Sequence, residues 1–297
     1  LSDIVRDFLA AKRDPMRLKT WVNTTLGETW VDQGEQMDEH DLIERREDFG
    51  DELPEDILLM TAGIDVQDDR LEYEVVGWGR GEESWSIDYG VLYGDPSAVE
   101  LWMQLDEILG QTYVHSTRGE MVIRSACIDS GGHYTQQVYN YVRPRAGKRI
   151  FAIKGVGGEG KPIAGRPTKN NIGKINLFPV GVDTAKELVY ARLKIREVGE
   201  GYCHFPLGRS DEYFRMLTAE KRVVKYFKGR PRREWIKVRQ RNEALDCRVY
   251  ATAALSLLNV NMEVIYKQAQ NRVKSGQTKP SRRPAMPRRN SFVHGFR

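Results

Sequence analysis

Cysteine is scarce, with only Cys127, Cys203 and Cys247 in 297 residues, odd in number and far apart. Without a CxxC pair they exclude a zinc site and a disulfide framework and point to reduced thiols. Long apolar runs are absent too. None approaches the roughly 20 residues a membrane span requires, so no membrane partner is expected. The N-terminus, Leu1-Ser2-Asp3, lacks the basic-then-apolar order of a secretory signal. It begins on Leu rather than Met, and we expect an excised fragment with a further domain upstream. Histidine is sparse as well: five residues without metal-ligand spacing, none completing a Ser–His–Asp arrangement.

Acidic residues vanish at the other end. From Lys267 onward there are nine Lys and Arg and no Asp or Glu, which leaves 37 basic against 42 acidic residues in the rest. The net charge of +4 thus joins a mildly acidic body to a polycationic tail that favours polyanions without reading sequence. Between Glu28 and Asp56 the bias reverses, with thirteen acids against Arg45 and Arg46, as in a solvated connector around one short helix.

Hydrophobic periodicity divides the chain into three parts. Residues 1–56 form helical segments, broken at Asp14-Pro15, followed by the acidic connector. Residues 57–260 carry the folded domain. The spacing predicts strands over Leu58–Val66, Leu71–Trp78 and Ser84–Tyr93, then a helix over Ser97–Leu109. A strand at Met121–Ile128 follows, with a helix at Tyr134–Val142 and strands at Arg149–Ile153 and Asn176–Val182. A helix over Asp183–Arg196, a basic hairpin over Val223–Val238 and a long helix over Asn242–Leu258 close the domain. The fold class is mixed α/β. Residues 261–297 read as a basic tail, disordered from about Asn271.

Three carboxylates fall where chemistry is expected. Asp65 ends the first strand, in Ala62-Gly63-Ile64-Asp65-Val66, and Asp129 ends a later one, in Ala126-Cys127-Ile128-Asp129. Asp246 lies on the last long helix, in Asn242-Glu243-Ala244-Leu245-Asp246-Cys247. One such acid alone reads as a turn former or a surface charge. Three following core-type residues are costly to bury unless they converge on a divalent cation. Oxygen ligands without a His or Cys cluster fit Mg²⁺ or Mn²⁺. Two such ions about 3.5–4 Å apart activate a water and stabilise the leaving oxygen in phosphodiester cleavage.

These blocks, together with Trp21-Val22-Asn23-Thr24-Thr25-Leu26-Gly27-Glu28, Asp129-Ser130-Gly131-Gly132 and Gly181-Val182-Asp183-Thr184-Ala185-Lys186, resemble the successive motifs of lambda-type terminase large subunits of tailed phages. The resemblance runs from about Trp21 to Leu258. It implies an RNase H-like nuclease domain, a mixed central sheet flanked by helices, that follows a packaging ATPase domain and acts in the host cytoplasm. It further implies that double-stranded DNA is cut at the start and end of packaging, with a terminase small subunit and the capsid portal as partners. The tail is the expected portal contact. Carried over, the metal ligands and catalytic acids are Asp65, Asp129 and Asp246. Asp183 is a fourth candidate, with the alternative role of helix N-cap. Glu243, one turn before Asp246, is a further one. His133 and Lys186 are candidates for phosphate contact.

Two other features stand out in the sequence. Gly155 to Lys161 matches a phosphate-loop spacing, yet Pro162 stands where Ser or Thr would hold Mg²⁺, so no ATPase site is expected. The hairpin region Lys221–Arg241 holds ten Lys and Arg against one acid, Glu234. Lys225, Lys228, Arg230, Arg232, Arg233, Lys237 and Arg239 are its candidate DNA contacts, and charge protection of a sheet edge is the alternative. Two rival functions stay open at this point. One is another RNase H-like nuclease, acting on four-way junctions or RNA–DNA hybrids. The other is a DNA- or capsid-docking module without catalysis.

Overall fold

A computed structural model describes residues 2–12, 15–26, 37–170, 174–227 and 230–274. Its centre is a ten-stranded mixed sheet. The strands are β1 (Arg46–Glu47), β2 (Leu59–Val66), β3 (Arg70–Trp78), β4 (Ser84–Tyr93), β5 (Thr112–His115), β6 (Gly119–Asp129), β7 (Ile150–Val156), β8 (Thr168–Asn170), β9 (Ile175–Gly181) and β10 (Cys203–Pro206). Strands β2, β3 and β4 form an antiparallel meander, and β6 and β7 continue the sheet parallel to β2. The order runs β1-β10-β4-β3-β2-β6-β7-β9-β8, with β5 pairing β6. This is the mixed, helix-flanked sheet of the RNase H-like class.

The helices are α1 (Ser2–Ala11), α2 (Pro15–Trp21), α3 (Glu39–Glu44), α4 (Val99–Leu109), α5 (Thr135–Val142), α6 (Val182–Leu193), α7 (Asp211–Leu217), α8 (Glu243–Leu258) and α9 (Met262–Lys274). One apolar cluster joins α4 and α5 to one sheet face, through Leu101, Leu105 and Val138 against Ala62, Ile64 and Ile128. A second joins α6, α7 and α8 to the opposite face, through Val189, Phe214 and Val249 around Cys127 and Ile153. Strand residues alternate between the two faces. Hence Ala62 and Ile64 belong to the first face, while Thr61, Gly63 and Asp65 look towards α8. Because both faces are covered, β2 is buried along nearly its whole length, which explains its continuous apolar reading.

The expected strands and helices of the central domain are all present, with small shifts at their ends. Four elements are additional: strand β5, the edge strand β8 within 163–171, which reads as loop in the sequence, strand β10 and the short helix α7. The tail expectation changes as well. Residues 262–274 form α9, whose Met262 and Ile265 pack against the cluster of Leu59, Val76 and Trp78. The rest of the predicted tail lies outside the described residues. The acidic connector also joins the sheet, since β1 pairs parallel with β10. No described helix is long and apolar enough to cross a membrane.

Candidate active site

The site forms where three elements meet at one end of the sheet. Ile64 of β2 pairs in parallel register with Ile128 of β6, which puts Asp65 and Asp129 side by side one step further on. Helix α8 lies across this face and brings Asp246 to the same place. Its close approach depends on Gly63: a Cβ there would stand 1.9 Å from the Cys247 carbonyl oxygen and 2.5 Å from the Ala251 nitrogen. The Thr61 hydroxyl donates to the Ala251 carbonyl at 2.8 Å, and the Cys247 thiol donates to that of Glu72 at 3.2 Å, holding the helix along its length. Asp65, Asp129 and Asp246 open together onto a cavity of about 510 Å³ that Lys154, His133 and Tyr250 also line.

Electrostatics mark these acids as under-neutralised. Burial, then the charge of Asp246, pushes the Asp65 carboxyl well above the usual range, and Asp129 adds to the shift. Gln67 opposes it by donating to Asp65 at 2.5 Å. Burial also raises Asp129, partly offset by the Gly131 amide donating at 3.1 Å. Asp246 is pushed up to about 6, by burial first, with Lys186 opposing. Tyr250 is raised by burial and by all three carboxylates. In this conformation, no three His, Cys, Asp or Glu side chains among the described residues are grouped closely enough to hold an ion as placed. The three acids share one cavity but stand apart in it.

Asp246 is held from behind by a buried network that sequence reasoning missed. Asn242 donates to Asp246 at 2.9 Å and to Glu220 at 2.8 Å. Lys186 donates to both Glu220 oxygens at 2.8 Å and stands 3.9 Å from Asp246. Lys237 donates to the side-chain Oδ1 of Asn242 at 2.6 Å. Glu220 is 3% exposed, so its charge must be paired within the fold. Lys186 is therefore an internal counter-ion rather than the phosphate contact expected of it. Replacing it with Met should destabilise the protein by about 3–5 kcal/mol, because Glu220 loses its cation. Affinity for duplex DNA should stay unchanged in the folded fraction. Urea unfolding and DNA-binding titrations would check this, and a selective loss of binding would restore the phosphate role.

Other expected site residues move in the same way. Glu243 is committed to Arg70 at 2.7 Å and to Arg241 at 3.3 Å. The N-cap of α6 is Gly181, not Asp183. Asp183 instead accepts the Gly158 amide at 2.7 Å and so tethers the glycine loop. His133 stays at the cavity, paired with Asp68 at 2.9 Å. No described helix follows Lys161, in keeping with the rejected phosphate loop.

The basic hairpin is β11 (Glu220–Phe227) paired with β12 (Arg230–Lys237). Trp235 anchors it on Tyr190 of α6, with ring centroids 4.8 Å apart. Several of its cations already have partners: Lys225 with Glu234, Arg233 with Glu159 and Arg239 with Glu39. Arg232 lies exposed on the same ribbon. Lys228 and the Arg230 side chain fall outside the described residues.

A family model described as the endonuclease domain of the terminase large subunit gpA matches residues 1–269. The chain belongs to this family. It is 40% identical over 264 residues to the terminase large subunit of Escherichia phage lambda, covering 86% of this chain and 41% of that protein. It is 38% identical over 263 residues to the terminase large subunit of Enterobacteria phage P21, covering 85% and 41%. This terminase nuclease chain thus spans about two fifths of the length of these relatives. No solved structure matches it.

Proposed function

We propose that this terminase nuclease domain is a divalent-metal-dependent endonuclease that cuts double-stranded viral DNA during genome packaging. The observation that carries this reading is the opening of Asp65, Asp129 and Asp246, from three separate elements, onto one polar cavity. The donor set fits Mg²⁺ or Mn²⁺, because every carboxylate is an oxygen ligand and burial raises all three despite the nearby lysines. Asp65 and Asp129 would hold and share the ions, and Asp246 would complete the second position. Bound ions supply charge neutralisation and activation of the attacking water, leaving a 3′ hydroxyl.

The chain's own residues shape the rest. Gln67 orients the Asp65 carboxylate, the Gly131 amide orients that of Asp129, and Asn242 fixes that of Asp246. Such support is what keeps ligands within productive geometry. Lys225 and Arg233 of the hairpin sit in exposed pairs of small worth, which DNA phosphates can replace. Nothing on the ribbon resembles a base-reading helix, so cleavage by this domain alone should show little sequence preference. The terminase small subunit, the capsid portal and an ATPase domain of the same protein belong to this proposal as partners. The C-terminal tail from Asn271 to Arg297 supplies the portal contact in it.

Incubating the chain with supercoiled plasmid in Mn²⁺, in Mg²⁺ and in chelator tests the reading. Nicking and linearisation with either metal, and none in chelator, are expected. Salt-sensitive DNA retention without cleavage in any metal would instead identify a docking module. Preference for a four-way junction or an RNA–DNA hybrid over linear duplex would transfer the site to another nuclease class.

A further inference from the structure

Among the described residues, the basic side chains around the three carboxylates, Lys154 apart, already have an internal partner. Lys186 serves Glu220, Lys237 serves Asn242 and His133 serves Asp68. Arg70 and Arg241, close by on the Glu243 side, are bound to Glu72 and Glu243. Lys154 differs. It lines the same cavity, its side chain is exposed, and among the described residues its ammonium makes no hydrogen bond and no ion pair within 4 Å.

The backbone that carries Lys154 is fixed relative to Asp129. Strand β7 pairs in parallel with β6, with Ile153 opposite Asp129. Ser130 then donates twice to the Ile153 carbonyl, from its amide at 2.9 Å and its hydroxyl at 2.7 Å. The residue after each member of this pair is thereby locked in place, and Lys154 is one of them. Its positive charge is felt by Asp129, whose carboxyl it partly holds down against burial. An ammonium on an ordered strand, facing a cavity of carboxylates and bound to none of them, has its hydrogen-bonding capacity free for an anion.

Resting on the nuclease reading above, we propose that Lys154 is a further catalytic residue. Its ammonium contacts a non-bridging oxygen of the phosphodiester under attack and stabilises the charge that builds there. The contact strengthens as the phosphorus becomes five-coordinate, so it acts on turnover more than on DNA affinity. A lysine that merely balanced the charge of Asp129 would act through metal affinity instead.

The test compares Lys154→Ala, Lys154→Arg and Lys154→Cys with the unsubstituted chain and Asp65→Asn, using duplex DNA and Mn²⁺. For Lys154→Ala we expect kcat to fall about 10²- to 10³-fold, KM to stay within about twofold, and the Mn²⁺-induced rise in melting temperature to persist. Lys154→Arg should retain part of the rate. Lys154→Cys should be inactive until alkylation with 2-bromoethylamine rebuilds an ammonium on a side chain of nearly the same length. Cys127, Cys203 and Cys247 are buried, which directs the reagent to position 154. Wild-type kcat in Lys154→Ala, a loss confined to KM or to Mn²⁺ stabilisation, or failure of the alkylated Cys variant to recover would each overturn the assignment, provided Asp65→Asn is inactive. If Asp65→Asn cuts normally, or the unsubstituted chain cuts in neither metal, the nuclease reading fails rather than the role of Lys154 within it.

Discussion

Asp65→Asn is expected to lower DNA cleavage at least about 10³-fold and, in the same protein, to raise the melting temperature measured in chelator. The two effects have one cause. Asp65 is only 4% exposed and faces two other carboxylates, so folding without metal confines charge at a cost. Asn keeps an oxygen that can accept from Gln67 and removes the repulsion. In a domain of this size each kcal/mol recovered corresponds to about 2–4 °C, and we expect a rise of at least that order. Added Mn²⁺ should stabilise the unsubstituted chain and have much less effect on the variant.

The pH dependence follows from the direction of the shifts. The carboxyls of Asp65 and Asp246 titrate higher in the folded chain than in the unfolded one, Asp246 at about 6 against an ordinary 3.8. Below the ordinary value they are protonated in both states and cost nothing. As pH rises from the ordinary value the unfolded chain loses protons first, so stability falls, and for Asp246 the full cost is present above about 6. In chelator the melting temperature should therefore drop as pH rises from the ordinary carboxylate value of 3.8 to about 6, with a shallower slope in Asp65→Asn. A variant that melts below the unsubstituted chain in chelator would show that the acid stabilises the fold and would remove the main support for a cation site here.

The acids were legible from sequence because their surroundings are. Asp65 and Asp129 each close a run of core residues, and Asp246 interrupts a helix rich in Ala and Leu. A carboxylate in such a context needs a reason beyond solubility. Strand alternation and helix period then suffice to place the central elements. The network behind Asp246 was not legible, since Glu220 reads as one charge at the start of a basic hairpin. Only the packing of α6 against β11 reveals that Lys186 answers it at 2.8 Å. Nor does local pattern separate an internal counter-ion from a DNA contact: Lys186, Lys237 and Arg239 all carry a charge of the expected sign, and all are spent on protein groups. Lys154 left a weak trace, as the residue following a predicted strand that neighbours the Asp129 strand. The short strand β10 and helix α7 escaped because Cys203–Pro206 and Asp211–Leu217 are too brief to show a period.

Gly63→Ala should cost both stability and cleavage, although it adds one methyl group and touches no charge. Glycine in a strand interior is otherwise unfavourable, and here it marks a close approach of two backbones. The added carbon would meet the Cys247 carbonyl at 1.9 Å and the Ala251 amide nitrogen at 2.5 Å, both main-chain atoms of α8 that no rotamer change can remove. The helix must lift or slide. That movement breaks the bond from Thr61 to the Ala251 carbonyl and carries Asp246, one residue before Cys247, away from Asp65 and Asp129. Overpacking of this kind costs about 3 kcal/mol or more, at the upper end of its usual range, and about 6–12 °C in melting temperature. A displacement near 1 Å of one acid should lower cleavage by about 10²-fold in the protein that remains folded. Thermal melts and single-turnover cleavage below the new transition would separate the two losses. If the variant melts normally, α8 does not rest on β2 through this glycine; if it is destabilised yet cuts at the full rate, the position of Asp246 does not govern the reaction. Gly63→Val should be worse on both counts, because its branches meet the same helix backbone.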